Sequence, residues 1–446
     1  MSNRHESFFE VLKKEGLTHL EIHYDWKEDK NILYSAKEWD KNIKWRYYNK
    51  KFTQFTLLTD NALYYNHSQT RELLEKNGLS DYLSEIIDLM RKGRHTLLDF
   101  YYWEKENIRF VNNIHSDRKG LNNLRSSIVM GGIRRHEPDE EEKAVLIDGM
   151  NLGRAMTFKN EAAKIPMGGC KITVQMKPIN LEDLDQVGFL AYANDRTRNI
   201  AGPDMRFPTE LADVENTNFS LNFAGGPNAP LGETGMPTAY GTYIAVKQGS
   251  KFLWGSESLK SKKIAVQGLG AVGYYLAEYY IKEGAEIIVC DMDQSTIKAF
   301  REAHPEAPIN VVNPDEIYYV DADIFSPSAI GGIVTQELIP KMKFKLIMGP
   351  ANNQLEASSQ EEEYELAKQL DEAGILFQVD WWHNVGGVMS GFEEYTQREN
   401  ASMSKLLSRI KEICTYGTWS NLNKAHKQGI TPTEMAYKTV ENEIYG

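Results

Sequence analysis

Apolar and polar positions change their period several times along this chain. HLEIHYDW (19–26) alternates as a half-buried strand does, and KWRYYNK (44–50) and FTQFTLLTD (52–60) also read as strands. TRELLEKNGLSDYLSEIIDLM (70–90) carries the helical period. IRFVNNI (108–114) predicts another strand, followed by a loop holding Gly131 and Gly132. A long helix is then expected from PDEEE (138–142), whose acids suit the positive end of a helix dipole. Along it Val145, Leu152 and Met156 share one face, and that face receives Lys159 three residues later. Pro166, Gly168 and Gly169 end the helix before a short strand, KITVQM, that starts at Lys171.

From Thr238 the pattern becomes regular. A helix (TAYGTYIAVKQGS) precedes KKIAVQGLGAVG, and EIIVCD, DADIFSP, KFKLIMG and GILFQVD then alternate with helical segments. Such alternation predicts a doubly wound parallel sheet. The expected fold is α/β: an N-terminal α/β substrate domain, a Rossmann-type cofactor domain, and C-terminal helices. Four segments follow. Residues 1–105 hold four of the eight tryptophans and read as an extension serving an oligomer interface; 106–237 form the substrate-binding domain; 238–391 form the dinucleotide domain; 392–446 are helices packing back on the substrate domain.

Composition narrows the function. With 51 Lys and Arg against 63 Asp and Glu, the net charge of -12 argues against a nucleic-acid or anionic-membrane partner and favours small-molecule chemistry. Three widely spaced cysteines supply neither a disulfide framework nor a four-thiolate zinc site, and no metal is expected. MSNRHESFFEVLKKEG lacks an apolar core before a small-residue cleavage site, so a cytoplasmic protein is expected.

Gly268, Gly270 and Gly273 stand between a strand and a helix as G-x-G-x-x-G. There they allow a tight turn, close approach of backbone to a pyrophosphate, and contact of helix with strand; Ala271 and Val272 complete the turn. Asp291 ends the next strand 18 residues beyond Gly273, where an acid accepts from ribose hydroxyls. No Arg or Lys follows at once to hold a 2′-phosphate, so NAD is expected rather than NADP. Asp293 reads either as a second acid sharing the role of Asp291 or as a strand-end turn acid.

MTFKNEAAKIPMGGCKITV (156–174) raises a different question. A desolvated lysine can exchange protons near neutrality, a charged one can grip a carboxylate, and a solvated one has no special task. Helix phase points Lys159 inward, Gly-Gly-Cys precedes Lys171, and Lys164 reads as a bystander. Asp204, in the Gly-Pro loop of NIAGPDMRFPTE, is a candidate partner acid that chemistry alone does not separate from Asp195 or Asp213.

Together these pieces resemble the glutamate, leucine, phenylalanine and valine dehydrogenases, and most of all the leucine and phenylalanine branch. MTFKNEAAKIPMGGCK resembles that family's paired-lysine motif, GLGAVG its dinucleotide turn, and TAYG, DIFSPSAIGGIV, GPANNQL and HNVGGV follow in the family's order. The resemblance implies reversible oxidative deamination of an L-amino acid to its 2-oxo acid and ammonia. It implies that Lys159 holds the substrate carboxylate beside Gly131 and Gly132, that Lys171 helps water attack the iminium carbon, and that Asp204 relays a proton to the amino group. Asn352 would meet the substrate amine, while Thr238, Ser328, Ala329 and Asn384 would line the nicotinamide end of the cofactor. Met130, Gly202 and Gly391 fall at side-chain-pocket positions, where small residues suit a bulky apolar or aromatic substrate. A homo-oligomer is expected.

The chain also departs from the family. The catalytic loop continues Met205-Arg206-Phe207 in place of the common Val-Gly-Thr, and DWWHN replaces a more aliphatic stretch. Arg206 reads either as a substrate contact or as a surface arginine; Trp382 and His383 read either as pocket walls or as a packed indole and a satisfied histidine. Two other functions stay open: a specialised imine or oxo-acid reductase on this scaffold, and a catalytically silent cofactor-binding relative.

Overall fold

Eight strands drawn from the first half of the chain join one mixed sheet. The computed structural model describes residues 6–52, 56–116 and 128–446. The strands are β1 (His19–Asp25), β2 (Lys30–Lys37), β3 (Leu63–Tyr65), β4 (Leu97–Trp103), β5 (Ile108–Ser116), β6 (Val129–His136), β7 (Gly168–Gln175) and β8 (Asn199–Pro203), in the order β3-β2-β1-β4-β5-β7-β6-β8. Pairing is antiparallel from β3 through β5 to β7 and parallel among β7, β6 and β8. The helices α1 (Phe8–Glu15), α2 (His67–Lys76), α3 (Ser80–Gly93), α4 (Glu142–Ala162), α5 (Leu184–Arg196) and α6 (Glu210–Asn218) accompany this sheet in sequence. The expected boundary at residue 105 therefore does not divide the molecule. The first unit comprises Met1–Asn160, Pro166–Glu233 and Glu394–Ala401, with β1 to β4 hydrogen-bonded into the same sheet as β5.

The aromatic residues of the first hundred positions are chiefly core. Trp39, Trp45 and Trp103 are fully buried among Tyr101, Phe110, Ile172 and Phe189, whereas Trp26 is partly exposed. Edge-on contacts of Trp45 with Trp39 (5.2 Å) and Trp103 (6.3 Å) suit the ring quadrupoles. Each buried large apolar side chain contributes about 1.5–3 kcal/mol. This burial withdraws the aromatic argument for a subunit interface.

KWRYYNK is not a strand. Trp45–Tyr47 form a single 3₁₀ turn, because Trp45 enters the core while the Arg46 side chain reaches Asp185 at 2.6 Å. In FTQFTLLTD, residues 53–55 lie outside the described residues, and of the remainder Phe52 and Leu58 pair only as isolated bridges, to Tyr48 and Trp39. The twin glycines lie within β6 rather than in a loop, since a Cβ on Gly131 would stand 1.8 Å from the Cys170 carbonyl oxygen of β7.

The second unit (Glu161–Ile165, Thr234–Glu393, Ser402–Gly446) is built on six parallel strands. These are β9 (Lys263–Gln267), β10 (Glu286–Cys290), β11 (Ile309–Val311), β12 (Ile324–Pro327), β13 (Leu346–Ile347) and β14 (Leu376–Phe377). Their order, β11-β10-β9-β12-β13-β14, is the doubly wound pattern in which the winding reverses between β9 and β12. The helices α7 (Gly235–Trp254), α8 (Gly273–Lys282), α9 (Gln294–Ala303), α10 (Gln360–Glu372), α11 (Gly386–Gln397), α12 (Met403–Gln428) and α13 (Pro432–Tyr445) complete the chain.

The terminal helices do not join the substrate unit as expected: Ser402–Gly446 belongs to the second unit. Leu422 of α12 enters the core shared by α7 and the parallel strands, and a Cβ on Gly241 of α7 would meet Ile410 and Cys414 of α12 at 3.3 Å. The absent side chain lets the two helices approach closely. No helix among the described residues is long and apolar enough to cross a membrane.

Candidate active site

In the first unit, β6, β7 and β8 lie side by side and carry the site residues at neighbouring positions. Gly131 pairs with Ala201 and Gly132 with Gly202, while Lys171 follows Cys170 in β7. A Cβ on Gly132 would lie 3.0 Å from Lys171 Nζ, 3.2 Å from Asp204 Cβ and 3.2 Å from the Gly202 carbonyl oxygen. Gly132 thus leaves the room that the lysine and the aspartate fill. Lys171 Nζ stands 2.5 Å from Asp204 Oδ2, with 8% of the lysine side chain and 34% of the aspartate side chain exposed.

Helix α4 closes on this strand group through small residues. A Cβ on Gly169 would strike Thr157 N at 2.1 Å, and one on Gly153 would strike the Asn113 carbonyl oxygen at 2.6 Å. The buried Asn113 amide donates to the Lys171 carbonyl oxygen at 3.0 Å, fixing the catalytic candidate's backbone. Lys159 is half-buried in the last turn of α4. Met130 is buried in β6, and Gly202 lies in β8 with only the Ala224 carbonyl oxygen, at 3.4 Å, within contact of an added Cβ.

The pair extends into a run of alternating charges. Arg134 Nε donates to Asp204 Oδ2 at 3.1 Å and its Nη1 to both Asp148 oxygens at 3.2 and 3.1 Å. His136 Nε2 lies 3.2 Å from Asp148 Oδ2 and its Nδ1 2.7 Å from Glu140 Oε2, and Glu140 Oε1 accepts from Arg206 at 2.8 Å. Burial alone would raise the pKa of Asp204, but Lys171 and Arg134 outweigh it and hold the carboxyl well below the usual carboxylate range. Burial likewise opposes charge on His136, and Asp148 and Glu140 reverse that and raise its pKa. Glu140 is lowered to about 2: its burial is outweighed by the Glu137 amide, His136 and Arg206.

The other aspartates weighed with Asp204 have structural partners. Asp195 accepts from Ser220, Tyr48 and Asn222, and Asp213 caps the turn at Asn228. Lys164 is exposed and paired with Glu161 at 2.7 Å. Arg206 is exposed, ion-paired with Glu140 and 3.9 Å from Glu137, and takes φ 65, the conformation that favours glycine. Sequence reasoning passed over Arg134, Asp148 and His136. The signal for Arg134 and His136 lies in VMGGIRRH, where strand alternation sets them on one face with Gly132; Asp148, on α4, has none there.

The second unit gathers the cofactor candidates at its switch point. Gly268, with φ 92, begins the turn after β9, and its Cβ would lie 2.7 Å from that of Ala329, just beyond β12. A Cβ on Gly273 would strike the Gly268 carbonyl oxygen at 2.0 Å and meet Ser328 Cβ at 3.0 Å. A Cβ on Gly270 meets nothing within 4 Å, which is the open cradle a diphosphate requires. Gly270 and Ala271 are exposed and Val272 immediately precedes α8. Asp291 accepts from the Leu269 amide at 2.7 Å and the Asp293 amide at 2.9 Å, so it ties β10 to the glycine turn; Asp293 itself caps α9 through Ser295.

At the other end, Gly387 would crowd Thr238 Oγ1 at 3.1 Å were it to carry a Cβ, which places HNVGGV against the start of α7. Asn384 donates to Asn352 Oδ1 at 3.0 Å and to the Pro350 carbonyl oxygen at 3.1 Å, while its own buried Oδ1 has no partner among the described residues. That orphaned acceptor fits a carboxamide donor such as nicotinamide carries. Gly391 is buried in α11 of this unit. His383 is fully buried and bonded to the Gly349 carbonyl oxygen at 3.0 Å, and Trp382 Nε1 lies 3.6 Å from where Gly417 of α12 would carry a Cβ. The satisfied histidine and the packed indole are therefore the readings the contacts favour.

Sheet order and glycine turn are those of dinucleotide-binding enzymes, and the close Lys171–Asp204 pair is an acid–base couple. Comparison with known proteins specifies which kind. The chain is 33% identical to phenylalanine dehydrogenase of Lysinibacillus sphaericus over 71% of its length and 82% of that protein, and 32% identical to leucine dehydrogenase of Bacillus cereus over 78% and 94%. It belongs to the amino acid dehydrogenase family of oxidoreductases. No protein-family model matches the chain. The crystal structure of L-tryptophan dehydrogenase from Nostoc punctiforme superposes with a TM-score of 0.65 at 25% identity, covering 81% of this chain and 98% of that one. The hetero-hexameric glutamate dehydrogenase of Thermus thermophilus shares the fold at a TM-score of 0.59 and 17% identity, over 78% of this chain and 84% of that one.

Proposed function

We propose that this enzyme catalyses the reversible, NAD-dependent oxidative deamination of an L-amino acid with a bulky apolar or aromatic side chain, giving the 2-oxo acid and ammonia. The 2.5 Å contact of Lys171 with Asp204 beside side-chain-free Gly132 carries the reading. It joins an amine and a carboxylate closely enough for proton exchange. Lys159 holds the substrate carboxylate as a point charge, with the Gly131–Gly132 backbone at the same end. Asp204, kept anionic, attracts the substrate ammonium and takes a proton from it.

NAD held by the second unit would supply the acceptor for the Cα hydride, whose loss leaves the substrate amine as an iminium. Lys171, once it has given its own proton to solvent, removes a proton from the water whose oxygen bonds to that carbon. Asp204 returns its proton to nitrogen, the C–N bond breaks as the remaining hydroxyl proton passes to solvent, and ammonia leaves the 2-oxo acid behind. In the second unit Gly268, Gly270 and Gly273 with the α8 N-terminus hold the diphosphate, Asp291 the adenosine ribose, and Thr238, Ser328, Ala329 and Asn384 the nicotinamide end. NAD is favoured because Asp291-Met292-Asp293 directly follows β10, two acids where a 2′-phosphate would need cations.

The relatives named for leucine, phenylalanine and tryptophan support an apolar side chain, and Met130, Gly202 and Gly391 are proposed to bound it. A working homo-oligomer accords with this reading. Rates of NAD and NADP reduction with leucine, phenylalanine, tyrosine, tryptophan and glutamate test it. An apolar or aromatic amino acid with NAD is expected to be fastest; a clear preference for glutamate would overturn the substrate class.

A further inference from the structure

We propose that Arg134 is a positioning residue for this deamination, holding Asp204 Oδ2 against Lys171 through a guanidinium that Asp148 anchors from α4. The proposal rests on the roles given above to Lys171 and Asp204. The geometry is that of a bracket. Arg134 follows Gly132 by two residues on β6, so its side chain leaves the strand on the face where Lys171 Nζ and Asp204 Cβ approach Gly132. Its Nη1 is taken by both oxygens of Asp148, which leaves Nε directed at Asp204 Oδ2, 3.1 Å away. A guanidinium is planar, so fixing one nitrogen fixes the direction of the others; a lysine has no such fork.

The backbone around Asp204 needs no such help. The Asp204 amide donates to the Ile133 carbonyl oxygen at 3.0 Å, the Arg135 amide donates to that of Met205 at 3.1 Å, and the Phe207 amide closes the turn on that of Asp204 at 3.0 Å. The turn is bolted to β6, and the remaining freedom is the rotation of the carboxylate. Arg134 removes it. Asp148 is in turn held by His136, and His136 by Glu140, whose second oxygen binds Arg206 of the same turn. The charged groups around Asp204 are thus Lys171 from β7 and Arg134 from β6, with Asp148 from α4, His136 from β6 and the Glu140–Arg206 pair beyond them. Two cations on one oxygen also keep Asp204 ionised, so Arg134 sets how readily this carboxylate accepts a proton.

The full-length wild type, Arg134→Met and Arg134→Lys are compared by kcat and KM across pH. Asp148→Asn joins them as a variant that keeps Arg134 and discharges its anchor. In parallel, the carboxylate infrared bands of protein labelled with ¹³C-aspartate are followed through pH, with Asp204→Asn identifying the band of interest. Arg134→Met should lower kcat at least about tenfold while changing KM for the amino acid by less than about threefold, and should move the acid limb of kcat to higher pH. The Asp204 band should protonate at higher pH too, with Lys restoring part of each effect and Asp148→Asn giving a smaller change in the same direction. Lower thermal stability with an unmoved acid limb and an unmoved Asp204 band would mark a merely structural ion pair and overturn the proposal. A wild type without amino-acid-dependent NAD reduction would refute the deamination reading instead, and the infrared titration would still decide whether Arg134 governs Asp204.

Discussion

The candidate groups of the first unit are side chains; those of the second are chiefly backbone. Lys171, Asp204, Arg134, Asp148 and His136 come from β6, β7, α4 and the turn after β8, and each is useful only because an opposite charge meets it. The dinucleotide turn is continuous in sequence, and three of its six residues are glycines whose absent side chains are the functional feature. One half should therefore respond to charge deletion and pH, the other to the addition of single methyl groups.

The largest effect is expected at the reacting amine. Lys171→Ala should lower kcat by about 10²–10⁴-fold, the range of a lost general acid or base, while the far-ultraviolet circular dichroism and the thermal midpoint stay near those of the wild type. Unchanged turnover would remove Lys171 from the mechanism and with it the contrast between the two units.

Charge also stabilises the first unit away from the candidate site. His19 is fully buried with Nε2 2.7 Å from Asp99 and Nδ1 3.4 Å from Glu38, and it stacks on Tyr101. Burial alone would lower its pKa, but the two carboxylates push it up to about 10. An imidazole held protonated in this way is a poor metal ligand, although His19, Glu21 and Asp99 have the spacing of one. Because the folded-state pKa exceeds the unfolded one, near 6.5, this stabilisation is complete below about pH 6.5 and disappears as pH rises through about 10. His19→Gln should cost about 3–5 kcal/mol at pH 6, as breaking a buried ion pair does. Denaturant melts of both proteins should converge between pH 6.5 and 10; a deficit independent of pH would mean that packing on Tyr101, and not charge, is what the histidine supplies.

The same contrast explains what could be read in the sequence. The glycine turn, the acid after the next strand and the parallel alternation are legible because spacing along one segment encodes them, whereas the capping of α9 by Asp293 is seen only in the structure. The Lys171–Asp204 contact is not legible, because 33 residues separate the partners and a strand register brings them together. Chemistry alone left Asp195 and Asp213 open, and only their hydrogen bonds to Ser220, Tyr48 and Asn228 separate them from Asp204. The twin glycines were read as a loop because glycine weakens strands; tertiary packing against Cys170 overrides that preference. Tryptophans at 39, 45 and 103 suggested an interface because aromatic content does not distinguish a subunit contact from a core. Arg206 is legible only in part: its φ shows that it occupies a position suited to glycine, and the ion pair to Glu140 accompanies that exception.

Lys159→Ala tests substrate binding with a smaller effect than the loss of Lys171. If its ammonium holds the substrate carboxylate equally in the ground and transition states, KM should rise roughly 30-fold, about 2 kcal/mol, with kcat near that of the wild type. A fall in kcat at constant KM would transfer Lys159 from binding to chemistry.

The finest test lies within the glycine turn itself, where two substitutions of the same size should separate. Alanine at Gly273 places its Cβ 2.0 Å from the Gly268 carbonyl oxygen, a backbone atom that cannot swing aside, so the turn and α8 must part. Overpacking of this kind costs about 1–3 kcal/mol and should lower the thermal midpoint of the free protein. Alanine at Gly270 meets nothing within 4 Å, and no left-handed φ burdens it, so the free protein should melt as the wild type does. The added methyl instead occupies the approach of the diphosphate, and calorimetry should show NAD bound about tenfold more weakly, roughly 1.4 kcal/mol. Were Gly270→Ala to bind NAD with full affinity, the diphosphate could not lie over this turn, and the glycine turn would lose its proposed assignment to the cofactor.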